Sequence, residues 1–425
     1  MIKGRGLVQL VLAVQAGLLA VAGFTLLSLV QAGSWTVGDL APGLIFSGLV
    51  IVAHLALVLA GYGAGESLFP VSGLLAGLGL VMAYRLGGNE LGNRQLLSIA
   101  LGVGSALAIC LALRDVTQLR RYKYTWAVLG VFLVALTFLL GHDPNQSGAR
   151  LWLGIGSLQF QPSEFLKVML VIFFAGYLEE NREIMARGRL QIGPFKVPPL
   201  AHLLPLSIMW LLSMLVLVVQ RDFGAAILFF GVFLAMLYVA TARFSYLLAG
   251  AVAFLAGAFL AYRSIAIVQV RAEAWLDPWS IAAGRGYQTI QGLMSLASGG
   301  ILGSGLGQGR PDFVPAAFTD LMLAAVGEEF GLLGAVAIVM LFLVLVHRGY
   351  HIAISAGRPF DRLLATGLTT VLGLQTLTIM GGTLRVLPLT GIPLPFLSYG
   401  GSSMLTNFVI IGLLLKIAGG RGTHV

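Results

Sequence analysis

The chain is poor in charge: Asp, Glu, Lys and Arg make up 10% of its 425 residues. Soluble domains carry about a quarter, so a water-soluble domain of any size is excluded. Cysteine is scarcer, and the single Cys110 excludes an internal disulfide and reads as a small apolar filler of a helix. Histidines such as His54, His202, His347 and His351 show no metal-ligand spacing. After MIKGRG, the apolar run 7–30 exceeds a signal-peptide core, and no small-residue cleavage site in a polar flank follows it. It is read as a retained first helix. Neither an internal repeat nor a low-complexity tract stands out.

What is there is hydrophobic sequence, 58% of the chain, at a mean hydropathy of +0.94. Spans of about 20 apolar residues fall at roughly 7–30, 41–61, 67–84, 95–113, 125–141, 164–179, 199–220, 223–241, 245–262, 319–346, 363–384 and 403–417. The expected fold is therefore an all-α polytopic membrane protein of about twelve transmembrane helices. With the N-terminus inside, sixteen Lys and Arg fall in inward segments and nine in outward ones, with Lys167 inside a span. That is the bias of the positive-inside rule, and RDVTQLRRYKY alone supplies four of the inward charges. Both termini are expected in the cytoplasm. The net charge of +9 thus speaks of orientation in a lipid membrane and not of nucleic acid.

Three outward segments, 142–163, 263–318 and 385–402, are long or rich in helix breakers. Function concentrates in such loops. In 263–318, Ile290, Leu293, Met294 and Ala297 share one helical face, with Tyr287, Gln288, Gln291 and Ser295 mostly away from it, which predicts a helix in the interface. GGILGSGLGQGRPDF follows. Its alternating glycines miss the G-x-G-x-x-G spacing and no strand precedes them, so they suit either an anion cradle or a flexible turn. RVLPLTGIPLPFLSYGG carries Pro388, Pro393 and Pro395 between apolar flanks. It predicts a re-entrant segment, since broken backbone at membrane depth must be buried in protein or line a wet cavity; Ser398, Tyr399, Ser402 and Ser403 offer polar contacts there. Pro162 and Glu164 open a helix, whereas Lys167 one turn on is an expensive cation that needs a cavity or a partner. Arg221 and Asp222 form the connection between two spans.

FTDLMLAAVGEEFG places Asp320, Glu328 and Glu329 in an apolar run with no Lys or Arg between Asp312 and His347. On one continuous helix Asp320 and Glu328 would stand about 80° and 12 Å apart, with Glu329 opposite Asp320. Their countercharges must come from other segments, the outward candidates being Arg150, Lys167, Arg221, Arg285, Arg310 and Arg385. The expectation is a wet outer cavity with Asp320 at its mouth, where partial burial suits a carboxylate to act as general base.

GARLWLGIGSLQFQPSEFLK, VVQRDFGAA, GYQTIQGLMSLASGGILGSGLGQG, FTDLMLAAVGEEFGLLG and LPLTGIPLPFLSYGGSS together resemble the RodA/FtsW/SpoVE (SEDS) family of peptidoglycan glycosyltransferases, in order over about 67–425. The resemblance implies a ten-helix core, residues 63–425, preceded by two extra N-terminal helices in 1–62. It implies polymerisation of lipid II, the undecaprenyl-pyrophosphate-linked glycan precursor, at the outer face of the bacterial cytoplasmic membrane, in cell elongation or division. The implied partner is a class B penicillin-binding protein. Asp320 falls on the family's essential aspartate and Asp312 on a second important acid. Trp152, Gln161, Pro162, Glu164 and Lys167 fall on its W…QPSE…K block, Asp222 on its Q-x-D-x-G turn and Glu329 on its E-E pair. The chain departs from the family's pattern at Ala316 and Phe318, where Glu and His are frequent, and at Gln159, Thr390 and Arg385.

The implied reaction is an inverting glycosyl transfer with Asp320 as base. Arg150, Trp152, Gln161, Glu164, Lys167, Arg221, Asp222, Gln288, Asp312, Glu328, Glu329 and Ser398 are expected around the substrate. Lys167, outward arginines or a divalent cation such as Mg or Mn would steady the leaving pyrophosphate. The alternative is a flippase or transporter of the lipid-linked precursor, which twelve spans would also suit.

Overall fold

A computed structural model describes residues 2–62, 67–143, 150–155, 158–187, 190–192, 195–197 and 200–420. The expected boundary at 62/63 and the inward charges Arg189 and Arg421 touch residues outside this set. Apolar runs fold as helices because only a helix satisfies every backbone group within its own segment in lipid. They are α1 (Ile2–Ala32), α2 (Val37–Leu59), α3 (Leu68–Ala112), α4 (Thr117–Arg121), α5 (Lys123–Leu140), α6 (Pro162–Arg187) and α7 (Leu200–Val219). The series continues with α8 (Phe223–Thr241), α9 (Phe244–Ser264), α10 (Ala266–Leu276), α11 (Tyr287–Ser298), α12 (Met322–Ser355), α13 (Pro359–Thr383) and α14 (Gly401–Gly419).

Each predicted span falls on a helix, and 67–84 and 95–113 share α3, which is bent at Gly88, where φ is +64°. Among the described residues nine helices are long and apolar enough to cross a membrane, α3 counted once. The chain is a multi-pass, helical membrane protein. Two small antiparallel hairpins were not expected: β1 (Leu153–Ile155) with β2 (Leu158–Phe160), and β3 (Leu190–Ile192) with β4 (Phe195–Val197). The first sits in segment 142–163, read from the sequence as outward, and the second in a stretch read as a plain inward connector.

The chain divides into two compact units. Residues 1–113, 266–348 and 375–422 form the first, in which α1 and α2 pack on α3 and α14 lies along α3. Gly17 lets Ser47 approach closely enough to donate to its carbonyl at 3.0 Å, and Phe24 meets Tyr84 edge-on. Residues 114–265 and 349–374 form the second, in which α5 and α8 pack on α6, and α7 and α9 on α8. There Arg358 grips Asp115 with both terminal nitrogens, at 2.6 and 2.8 Å, and Arg120 reaches Glu179 at 3.0 Å.

Candidate active site

The site lies in the first unit and begins with a break in a helix. In α12, Gly331 has φ +66° and ψ −166°, which interrupts the ladder just after Glu328 and Glu329. At membrane depth the freed backbone groups need partners, and the glycine-rich segment supplies them. Ser304 and Gly305 donate their N–H groups to the carbonyls of Glu328 and Glu329 at 2.9 and 3.0 Å; Leu332 and Leu333 donate to Gly300 and Ile301 at 2.9 and 3.2 Å. Side chains complete the seam. One Glu328 oxygen accepts from the Arg310 N–H at 2.5 Å and the other from the Ser295 hydroxyl at 2.6 Å. Arg85 donates to Glu329 and to the Gly309 carbonyl, both at 2.9 Å. The backbone of the glycine-rich segment thus plugs a broken helix.

A second irregular segment, 385–400, is held from several sides. The Ser398 hydroxyl donates to the Thr319 carbonyl at 2.5 Å and accepts from the Leu394 N–H at 3.0 Å. Tyr399 donates its N–H to the Phe318 carbonyl at 2.8 Å, and the Gln375 amide donates to the Pro393 carbonyl at 2.7 Å. Leu394, Phe396, Leu397 and Ser398 are buried, the protein-buried condition expected of a re-entrant loop.

Between these supports Asp320 faces a cavity of about 280 Å³. The structure corrects the expected start of the span at 319: Asp320 sits in the turn before α12, because the chain turns through Ala316, at φ +57°, and the helix opens at Met322. The charged lining is one carboxylate and three guanidiniums, Arg271, Arg285 and Arg385, with Gln288 and Thr289 beside them. Ile267, Val270, Trp275, Leu387 and Leu389 form the apolar wall. A Cβ added at Gly391 would stand 3.6 Å from Asp320 Oδ2 and 3.8 Å from Arg271 Nη2. With φ +76° as well, glycine keeps the space beside the acid and Arg271 open. Asp320 is partly exposed, through the cavity, yet protein atoms crowd it elsewhere. Burial pushes its carboxyl up to about 6 from the usual 3.8, and the Thr319 hydroxyl and the Arg271 guanidinium offset only part of that rise. Such an acid is ionised at neutral pH and still basic enough to take a proton.

Of the predicted residues, Asp320 and Gln288 share the cavity, with Arg285 and Arg385 from the predicted countercharges. Glu328 and Glu329 belong to the seam above, and Ser398 to the re-entrant loop. Asp312 is exposed, 3.9 Å from Arg85. Arg150, Trp152, Gln161, Glu164, Lys167, Arg221 and Asp222 lie in the second unit. There Glu164 and Lys167 are buried 2.7 Å apart on α6. Asp222 caps α8 by accepting the Ala225 N–H at 3.1 Å, Arg221 is exposed, and Trp152 bridges His142 through the backbone. Gln161 precedes α6 half-buried, and Arg150 is exposed.

Arg271, Thr289 and Trp275 are lining residues that motif reading passes over. A signal exists for the first: Ile267, Val270, Arg271 and Ala274 repeat at helical spacing, so an arginine sits within an otherwise apolar face. As for a metal, one carboxylate among three guanidiniums is a poor cation cradle, and no group of three or more His, Cys, Asp or Glu with suitable placement occurs among the described residues.

Residues 66–421 match the model of a family of cell cycle proteins, FtsW/RodA/SpoVE. The peptidoglycan glycosyltransferase RodA of Mycobacterium bovis is 40% identical over 388 residues, covering 89% of this chain and 83% of the relative. A probable peptidoglycan glycosyltransferase FtsW of Geobacter metallireducens is 35% identical over 314 residues, 73% of this chain and 81% of its own. Among solved structures, one of a peptidoglycan synthase complex that coordinates polymerization and crosslinking superposes at a TM-score of 0.69, with 27% identity over 83% of this chain and 97% of that one. The crystal structure of the rod shape determining protein RodA of Thermus thermophilus superposes at 0.59, with 26% identity over 84% of this chain and 97% of its own.

Proposed function

From the premise that this chain belongs to the FtsW/RodA/SpoVE family of cell cycle proteins, we propose that its outer cavity joins lipid-linked sugars, with Asp320 as general base. The chain is a peptidoglycan glycosyltransferase, and lipid II at the outer face of the cytoplasmic membrane is its substrate. Asp320 takes the proton of the acceptor GlcNAc 4-hydroxyl while that oxygen bonds the anomeric carbon of the donor MurNAc from the face opposite the leaving group. The bond from that carbon to the pyrophosphate oxygen breaks, and undecaprenyl pyrophosphate carries away the electron pair. Arg271, Arg285 and Arg385 compensate its charge in a confined cavity, where fixed cations act more strongly than in water. The apolar wall sits beside lipid. The observation that carries this reading is the composition of the cavity: a single raised-pKa acid among cations.

A class B penicillin-binding protein is the proposed partner. The likeness to a synthase complex that couples polymerization to crosslinking supports it. Residues of the second unit that match the family pattern, Glu164 and Lys167 first among them, are proposed to hold the lipid-linked substrate.

The test is polymerisation of lipid II by the purified protein, read as a ladder of glycan strands on a gel, with and without that partner. The rate is expected to rise with pH through about 6, because the base works only when ionised and its pKa stands near that value. An aspartate at its ordinary 3.8 would leave the profile flat from pH 5 to 8. Wild-type protein that makes no strands under any of these conditions defeats the reading.

A further inference from the structure

Among the cavity's guanidiniums, Arg385 is held unlike the others. Its φ of +57° lies in the left-handed region, where a bulky side chain is strained. Strain of this kind persists only where surrounding contacts fix it, and here the side-chain contacts point to one element. Arg385 Nε donates to the Trp275 carbonyl and Nη2 to the Leu276 carbonyl, both at 2.7 Å. The Trp275 indole returns a bond to the Arg385 carbonyl at 3.1 Å. Trp275 and Leu276 are the last residues of α10, whose terminal carbonyls have no partner inside the helix and whose dipole favours a cation. A little over one turn earlier, α10 carries Arg271, which donates to the Thr390 carbonyl at 3.2 Å and faces the cavity with Asp320. None of the residues of α10 is fully buried.

We propose that Arg385 is a positioning residue: it latches the C-terminal end of α10, with Trp275 as its counterpart, and so holds Arg271 over the acid of the cavity. This rests on the role given to Asp320 above. The charged groups that face Asp320 are Arg271 from α10, Arg285 from the turn before α11 and Arg385 itself. An effect routed through Arg271 must therefore be separated from a direct one.

The experiment compares pH–rate profiles of lipid II polymerisation for wild type, R385G, R271Q and the R385G/R271Q double variant. Glycine relieves the backbone strain at 385, so R385G is expected to fold. R271Q and R385G should each move the inflection upward by about half to one pH unit, because a cation that favours the ionised acid is gone or displaced. The double variant should shift no further than R271Q alone. Hydrogen exchange over residues 266–276 should quicken about tenfold or more in R385G, whether or not the protein is active. An unmoved profile, shifts that add in the double variant, or unchanged exchange in α10 overturns the latch. An inactive wild type with faster α10 exchange in R385G instead counts against the proposed reaction and leaves the latch standing.

Discussion

Asp320→Asn is expected to lower the rate of lipid II polymerisation about 10³-fold, within the roughly 10²–10⁴-fold that a positioned general base contributes. The asparagine keeps the shape and the Thr319 neighbourhood but cannot accept the proton. Folding should survive, and the sign of the titration says why. The folded value of about 6 stands above the ordinary 3.8. Stability contributed by this group is thus fully present below 3.8 and lost as pH rises through about 6. At pH 7.5 the ionised acid is a burden on the native state, so the variant should melt at or above the wild-type temperature while making strands about 10³-fold more slowly. Comparable strand synthesis by the two proteins would remove Asp320 from the chemistry; a fall in melting temperature matching the loss of activity would reduce it to a structural residue.

Gly331→Ala is the second large effect, and it acts on stability. A Cβ at this position would stand 2.3 Å from the Gly303 nitrogen and 2.5 Å from the Ile301 oxygen, both backbone atoms that cannot swing away. The residue's φ of +66° with ψ of −166° is closed to alanine as well. Accommodating the methyl would part the glycine-rich segment from α12 and strand the carbonyls of Glu328 and Glu329. A loss of about 3 kcal/mol or more is expected, seen as a large drop in the yield of monodisperse protein and in its melting temperature in detergent. Gly104→Ala, where an added Cβ meets nothing within 4 Å, is the control. Equal melting of the two variants would contradict the plug.

The spans were legible because hydropathy alone decides what can sit in lipid, and the breaker-rich outer segments were legible because proline and glycine announce irregular backbone. What the sequence hid is where broken backbone finds its partners. Glu328 and Glu329 read as anions in want of partners; Arg310 is among the candidates and supplies its backbone N–H, whereas Arg85 and Ser295 come from elements that no local spacing relates to α12. Asp320 read as the first turn of a helix because FTDLML continues an apolar pattern, and only the turn at Ala316 shows that the helix opens later. α10 was obscured by the charges in VQVRAEAWL, although the face carrying Arg271 has the same period that reveals α11. Thus the acid was within reach of motif reading, while the cations around it depend on how separate segments are brought together.

The first unit is assembled from stretches far apart in the chain, 1–113, 266–348 and 375–422, and the cavity uses residues from 267 to 391. During synthesis, then, α1 to α3 enter the bilayer long before α14, the packing mate of α3, has left the ribosome. The early helices must wait in lipid with an open flank, and contacts of such long sequence separation form late. A chain cut short before residue 391 therefore lacks part of the cavity's lining, and one that ends before α14 leaves the long flank of α3 without its packing mate.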